Sequence, residues 1–342
     1  MPTTMFEHLQ QLLRSNVFYQ KHLQSRVNDT RYAVRNWRMF RTLYHNTPSE
    51  NPSVRHTLFF IIDPHQRHPG FADRLKVFCC IDYIAEQNGY GFKLVLDDDF
   101  SLERYFEPNE IDWRGRYEML SHSRKDVRLI AYNGGKAEIP VLKKDICQYH
   151  IYNYIGLDVL RRTQGDQWRH AWNKQFHHLF RPTEYLNSLL SQHEDYPPKS
   201  YVAIHIRFVN ALDQIEEGFY NKLDATGQKQ LVENCLDALN YLQRNYQQPL
   251  LVFSDSERFL QIAHEHGYQR IEGGKVGHIS FCSEAFEKTV LDFFMLSRAS
   301  RIVRINSPLI YGSTFPIYAS FMGNCPIFEY SLEEKTLTQL PF

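Results

Sequence analysis

Four short groups of residues carry the side chains best suited to chemistry in this sequence. The first is His205-Ile206-Arg207, at the end of the apolar run YVAIHIRF. With strand alternation His205 and Arg207 share a side. Arg offers a permanently charged planar fork that fits a phosphate. The second is Ser254-Asp255-Ser256, where LLVFSD turns into SERFL; it also reads as an ordinary helix N-cap. The third is Asp292, in the apolar run Val290, Leu291, Phe293, Phe294, where a carboxylate needs a partner such as Arg298 or Arg301, or a function. The fourth is Gly312-Ser313-Thr314, a small-residue turn feeding a helix, where backbone N–H groups and hydroxyls can meet an anion.

The elements that position these groups alternate. In the C-terminal half, strands are expected at 201–208, 249–255, 301–307 and 326–330, the last of the chain. Helices are expected at 227–246, 256–267, 283–300 (with Ser283 as N-cap) and 314–323. In the N-terminal half, TLFFIID (57–63), GFKLVL (91–96) and VRLIAY (127–132) read as strands, with a helix over ADRLKVFCCIDYIAEQNGY that stops at Asn88-Gly89. Residues 141–195 read as mostly helical, and Pro197-Pro198 as a linker. Strands alternating with helices predict α/β architecture with parallel sheets. The implied division is an N-terminal domain, 1–196, and a C-terminal one, 197–342. Ligands of such sheets bind beyond the carboxyl ends of the strands, where all four groups fall.

Composition narrows the function classes. Lys plus Arg and Asp plus Glu each number 39 among 342 residues, so no general charge draws the chain to nucleic acid. No run of about 18 apolar residues predicts a membrane span. The six cysteines include no CxxC pair and are expected as free thiols. The first residues lack a signal-peptide pattern, which makes the cytoplasm the expected compartment. Residues 5–45 read as a basic helical segment with Phe18, Tyr19, Trp37 and Phe40, which would suit peripheral contact with a membrane surface or packing on the protein. No GxGxxG follows a strand, which disfavours a dinucleotide oxidoreductase.

In order and spacing, YVAIHIRF, LLVFSDSERFL, TVLDFFMLSRASRIVRINS and GSTFPIYASFMG resemble the C-terminal half of GDP-fucose-dependent fucosyltransferases. The likeness is to the α1,6-, rhizobial nodulation and O-fucosyltransferase group, and it covers roughly residues 200–325. HPGFADRLK (68–76) is similar to the group's glycine-containing loop. The resemblance implies a GT-B fold: two facing Rossmann-like domains, a central cleft, and the donor nucleotide on the C-terminal one. It implies an inverting glycosyltransferase without cofactor or metal, moving fucose from GDP-fucose to a glycan hydroxyl; the expected cytoplasmic compartment and the basic N-terminal segment, not the resemblance, suggest an oligosaccharide or lipid-linked glycan as the acceptor.

By the same resemblance, Arg207 meets the donor β-phosphate beside His205, Asp255 is the acid after the second strand, and Asp292 lies near the guanine. Ser254, Ser313, Thr314, Phe315, Gly70 and Arg74 complete the expected donor site. Many members carry a second arginine where this chain has Phe208; Arg74, Arg304 or Lys275 are the candidates to replace it. The general base is expected among Asp213, Glu216 and Glu217, with Asp73 a further candidate. The alternatives are another nucleotide-sugar donor, a metal-dependent transferase using Asp97-Asp98-Asp99, and a non-catalytic binding protein on the same fold.

Overall fold

The computed structural model describes the chain except residues 1–29, 31–33, 35–36, 48–53, 63–68, 97–101, 131–140, 153–158, 214–222, 277–283, 311 and 342. The described chain divides into two compact units. One comprises Met1–Ile62, Cys80–Leu96 and Trp113–Thr163; the other comprises Asp63–Cys79, Asp97–Asp112 and Gln164–Phe342. The second unit thus takes in residues 164–196 and two earlier excursions, all of which a division at 196/197 assigns to the other side.

The first unit is built on β1 (Thr57–Ile62), β2 (Gly91–Leu96), β4 (Val127–Leu129) and β5 (Gln148–Ile151), in the order β2-β1-β5-β4 and all parallel. β1 is buried throughout, as a continuous apolar parallel strand should be, and β5 is buried along its length as well. β5 corrects the expectation of a mostly helical 141–195. Its sequence, QYHI, is polar at alternate positions, so nothing in its periodicity announces a buried strand. His150 and Gln148 are tolerated there because they are bonded. His150 Nδ1 meets the Tyr44 hydroxyl at 2.6 Å, and its Nε2 lies 3.0 Å from Gln148 Oε1. Gln148 Nε2 donates to the Val54 and Met119 carbonyls. Such burial of polar groups is stable only when they are satisfied.

The second unit holds a six-stranded sheet in the order β12-β11-β10-β7-β8-β9. Its strands are β7 (Val202–Ile206), β8 (Leu250–Ser254), β9 (Gln269–Arg270), β10 (Arg301–Asn306), β11 (Ile327–Ser331) and β12 (Thr336–Gln339). All pairs are parallel except β11 with β12. β12 is an addition to the expected strands, 326–330 not being the last. α6 (Ala225–Asn245) and α7 (Glu257–Glu265) carry an apolar face onto β7 and β8, where Leu231, Cys235, Leu239, Phe259 and Leu260 join Val202, Ile204 and Val252 in one core. The Ser256 hydroxyl caps α7 by accepting from Phe259 N at 3.1 Å, and Gly267, at φ +89, ends it.

α8 (Ala285–Arg298) and α9 (Phe315–Met322) precede β10 and β11. Glu284, not Ser283, holds the N-cap position of α8, without a side-chain bond. α1 (Phe71–Asn88) begins in this unit, which also holds α2 (Leu102–Tyr105), α4 (Trp168–Leu179) and α5 (Glu184–Ser191), while α3 (Val159–Gln164) begins in the first. β3 (Phe106–Pro108) and β6 (Phe180–Pro182) form an antiparallel ribbon. Phe71, Phe106, Phe176, Phe180, Phe293 and Phe294 interlock there, with ring centroids 5.2–6.3 Å apart.

Of the basic segment at 5–45, most lies outside the described residues; residues 37–43 are helical, with Trp37 and Leu43 exposed. Among the described residues no helix is long and apolar enough to cross a membrane. Cys79, Cys80, Cys147, Cys235 and Cys325 are buried and in no disulfide; Cys282 lies outside the described residues.

Candidate functional site

A concavity opens at the carboxyl ends of β7 and β8. His205, Arg207, Ser254, Asp255, Asp292, Ser313, Thr314, Phe315 and Gly70, all singled out in the sequence, line it. Phe71, Ala72, Asp73, Phe253 and Thr289 complete the lining, and every lining residue belongs to the second unit.

β7 delivers the first group. Phe208 turns inward, buried against Phe259 at 4.8 Å, so strand alternation sends Arg207 the other way. Asp255 then fixes the loop. Its carboxylate accepts from Phe208 N at 2.8 Å and Val209 N at 3.0 Å, and Arg207 Nε lies 3.8 Å from its Oδ2. Val209 has φ +51, a strained conformation for a β-branched residue that persists only where its surroundings enforce it. Burial pushes the Asp255 carboxyl above its ordinary range, against the pull of Arg207 and the two N–H groups. Asp255 is therefore a backbone clamp that also aims Arg207.

His205 is buried, and its Nδ1 has no hydrogen-bond partner among the described residues. Its ring tilts on Phe315 at 5.7 Å. Burial first, then the Arg207 and Arg304 charges, hold its pKa down at about 3, so the imidazole is neutral. An orphaned buried nitrogen in a pocket wall calls for a ligand donor or acceptor.

The turn before α9 is held from behind. Arg304, paired in register with His205 across β10 and β7, donates from Nη1 to the Ser313 carbonyl at 2.9 Å and from Nη2 to Glu329. Ser313 Oγ accepts from Phe315 N at 3.2 Å, and Pro316 occupies the first turn of the helix. The Thr314 side chain makes no cap bond, which leaves its hydroxyl to the pocket.

Asp292 pairs one helical turn back with Lys288, not with Arg298 or Arg301, and both partners are buried. The i, i+4 spacing that could have found Lys288 is plain in the sequence. At the opposite wall, the Asp73 and Arg74 N–H groups donate to the Gly70 carbonyl at 3.1 Å. Asp73 pairs with Lys76 and keeps a half-exposed side chain.

Other expected residues lie elsewhere. Arg74 is buried, donates to the Pro69 carbonyl at 3.0 Å, and does not line the pocket. Neither do Arg304 or Lys275, the latter paired with Glu284 at 3.1 Å. Asp213 is not among the lining residues, and Glu216 and Glu217 lie outside the described residues. Among the described residues no group of three or more His, Cys, Asp or Glu is gathered to hold a metal; Asp97–Asp99 lie outside them.

No protein-family model and no curated protein matches the chain. Solved structures do. NodZ α1,6-fucosyltransferase soaked with GDP-fucose matches at 14% identity and TM-score 0.53, over 84% of this chain and 99% of that one. Fucosyltransferase NodZ from Bradyrhizobium matches at 14% identity and TM-score 0.55, over the same shares. POFUT1 in complex with GDP-fucose covers 82% of this chain and 96% of its own, at 10% identity and TM-score 0.39, too distant to carry weight. The GT-B fold expected from the sequence is thus the fold of this chain.

Proposed function

We propose that this protein is an inverting glycosyltransferase that moves fucose from GDP-fucose to a glycan hydroxyl without a metal. The observation that carries the reading is the pocket itself: Arg207, the Ser313–Phe315 turn and Asp292 converge at the strand ends of a fold shared with NodZ soaked with GDP-fucose.

In this reading the diphosphate lies between Arg207 and the Thr314 hydroxyl, at the first turn of α9. As the sugar–phosphate bond breaks, positive charge grows on the sugar and negative charge on the leaving diphosphate. Arg207, aimed by Asp255, meets that negative charge with a fixed cation, which stabilises the transition state more than the ground state. Phe315 and the neutral His205 face the nucleoside, and Asp292 meets the base edge.

Inversion needs a group to take the acceptor hydroxyl's proton. Three carboxylates line the pocket. Asp255 is committed to two N–H groups and Asp292 to Lys288. Asp73, half-exposed at the start of α1 and paired there with Lys76, is the one we favour because its side chain is the least buried of the three, with Glu216 and Glu217, which follow β7 in the sequence, the other candidates. An oligosaccharide or lipid-linked acceptor, met in the cytoplasm at a membrane face, fits the basic segment near the N-terminus.

Calorimetric titration of GDP, GDP-fucose, GDP-mannose and UDP-sugars in EDTA tests the reading. Tight binding of GDP and GDP-fucose is the expected outcome. Binding of another nucleotide sugar alone moves the assignment to that donor. Binding only with Mn²⁺ moves it to Asp97–Asp99, and no binding to a non-catalytic role.

A further inference from the structure

The buried pair in the pocket wall supports an inference about base selection, and it rests on the reading of the pocket as a GDP-sugar site. Asp292 faces the pocket; Lys288, one turn earlier on α8, is not among the lining residues and stands behind it. The lysine ammonium hydrogen-bonds the carboxylate Oδ1, and among the described residues this is its one hydrogen-bond partner. Gly274 closes over the lysine. Its φ of +76 lies in the left-handed region, and a Cβ there would sit 2.9 Å from Lys288 Cβ. The sequence thus keeps a long, rotamer-rich cation in a closed place, at a cost in entropy and desolvation that a merely apolar residue would avoid.

A carboxylate in such a wall has two states. Protonated, it is partly a donor; ionised, it only accepts. The base edge that matches the ionised form carries two adjacent N–H donors, as the N1–H and 2-amino group of guanine do. Adenine and uracil offer no such pair. We propose that Lys288 is a positioning residue for base selection: it holds Asp292 as an oriented, ionised acceptor, and the pocket thereby selects an edge with paired donors.

Burial raises the Asp292 carboxyl above its ordinary range, and the Lys288 ammonium opposes that rise. The other charged or titratable groups are placed. His205, Arg207, Asp255 and Asp73 line the same pocket. His193 and Glu272 lie within electrostatic reach of Lys288, and Arg298 within reach of His193.

The test compares affinity for GDP and for IDP, which lacks the 2-amino group, on the full chain from about pH 6 to pH 8.5. The wild type is expected to prefer GDP by about tenfold or more, the worth of a hydrogen bond to a charged group, with a flat ratio across that range. In Lys288→Met the preference shrinks to roughly threefold or less at the acid end and recovers as pH rises, because the carboxyl must then ionise unaided. Lys288→Arg retains the preference. An unchanged, flat ratio in Lys288→Met overturns the proposal. So does a wild-type ratio that collapses with acidification, a result that does not depend on any variant folding. The two levels separate cleanly: GDP binding without preference over IDP removes the role of the Lys288–Asp292 pair alone. No GDP binding by the wild type at any pH removes the GDP-sugar reading beneath it.

Discussion

All three of the pocket's carboxylates have partners before any ligand arrives, and that shapes what each residue can do. Asp255 spends its oxygens on Phe208 N and Val209 N, so it serves Arg207 and not the substrate directly. Arg207→Ala is expected to lower turnover by about 10²–10³-fold, as loss of a transition-state electrostatic partner does, while the melting temperature stays near that of the wild type. Arg207→Lys is expected to restore little, since a point charge lacks the planar fork. Kinetics beside a melting curve check both; full activity in the alanine variant would remove the phosphate role. At this scale the sequence was readable where strand alternation and the end-of-strand rule apply, as at His205, Arg207 and Asp255. It was less readable where one side chain serves another's backbone. Arg304, which holds the Ser313 carbonyl, and Arg74, which holds that of Pro69, both looked like spare cations from their charge alone.

Among the elements, α8 and α9 carry Thr289, Asp292, Thr314 and Phe315 to the pocket, and their approach is fixed by a glycine. A Cβ on Gly323 would lie 1.8 Å from the Ser297 carbonyl oxygen, against backbone that cannot swing aside. Gly323→Ala is expected to cost about 3 kcal/mol and to lower the melting temperature by roughly 5–10 °C, read by calorimetric unfolding. An unchanged melting temperature would mean the two helices can separate freely. The far end of α9 is closed by α4: Arg169 donates to the Ser320 and Cys325 carbonyls, and Asn173 to those of Phe321 and Met322. The alternation of strands and helices after residue 200 was legible because each strand is a continuous apolar run ended by a turn signal. β5 was not, because its buried Gln148 and His150 owe their place to Tyr44, Ser121 and Val54, far away in sequence.

For the whole molecule, two buried histidines set the acid side of stability. His150 and His205 both have pKa values near 3, lowered first by burial. The unfolded chain, with histidines titrating near 6.5, binds more protons between these values, so stability falls as pH drops below about 6.5. Each histidine contributes up to about 2 kcal/mol of this loss at pH 5. The raised carboxyls of Asp255 and Asp292 act with the opposite sign. His150→Gln is therefore expected to flatten the fall in melting temperature between pH 7 and pH 5, whatever its effect at pH 7. Parallel curves for variant and wild type would show that His150 does not hold its proton off.

The second unit draws on three separate stretches of chain, and this orders events during synthesis. Gly70–Asp73 form one wall of the pocket, while the opposing residues run from His205 to Phe315. At a ribosome speed of about 5–20 residues per second, the last of those walls follows the first by roughly 10–50 s. For most of that interval Phe71, which ends buried against Phe286 and Phe293, has neither of these neighbours. A nascent chain of this protein thus waits for about two hundred residues with Phe71 packed on Phe106 alone of its three ring partners, and the pocket is complete only once Phe315 has been made.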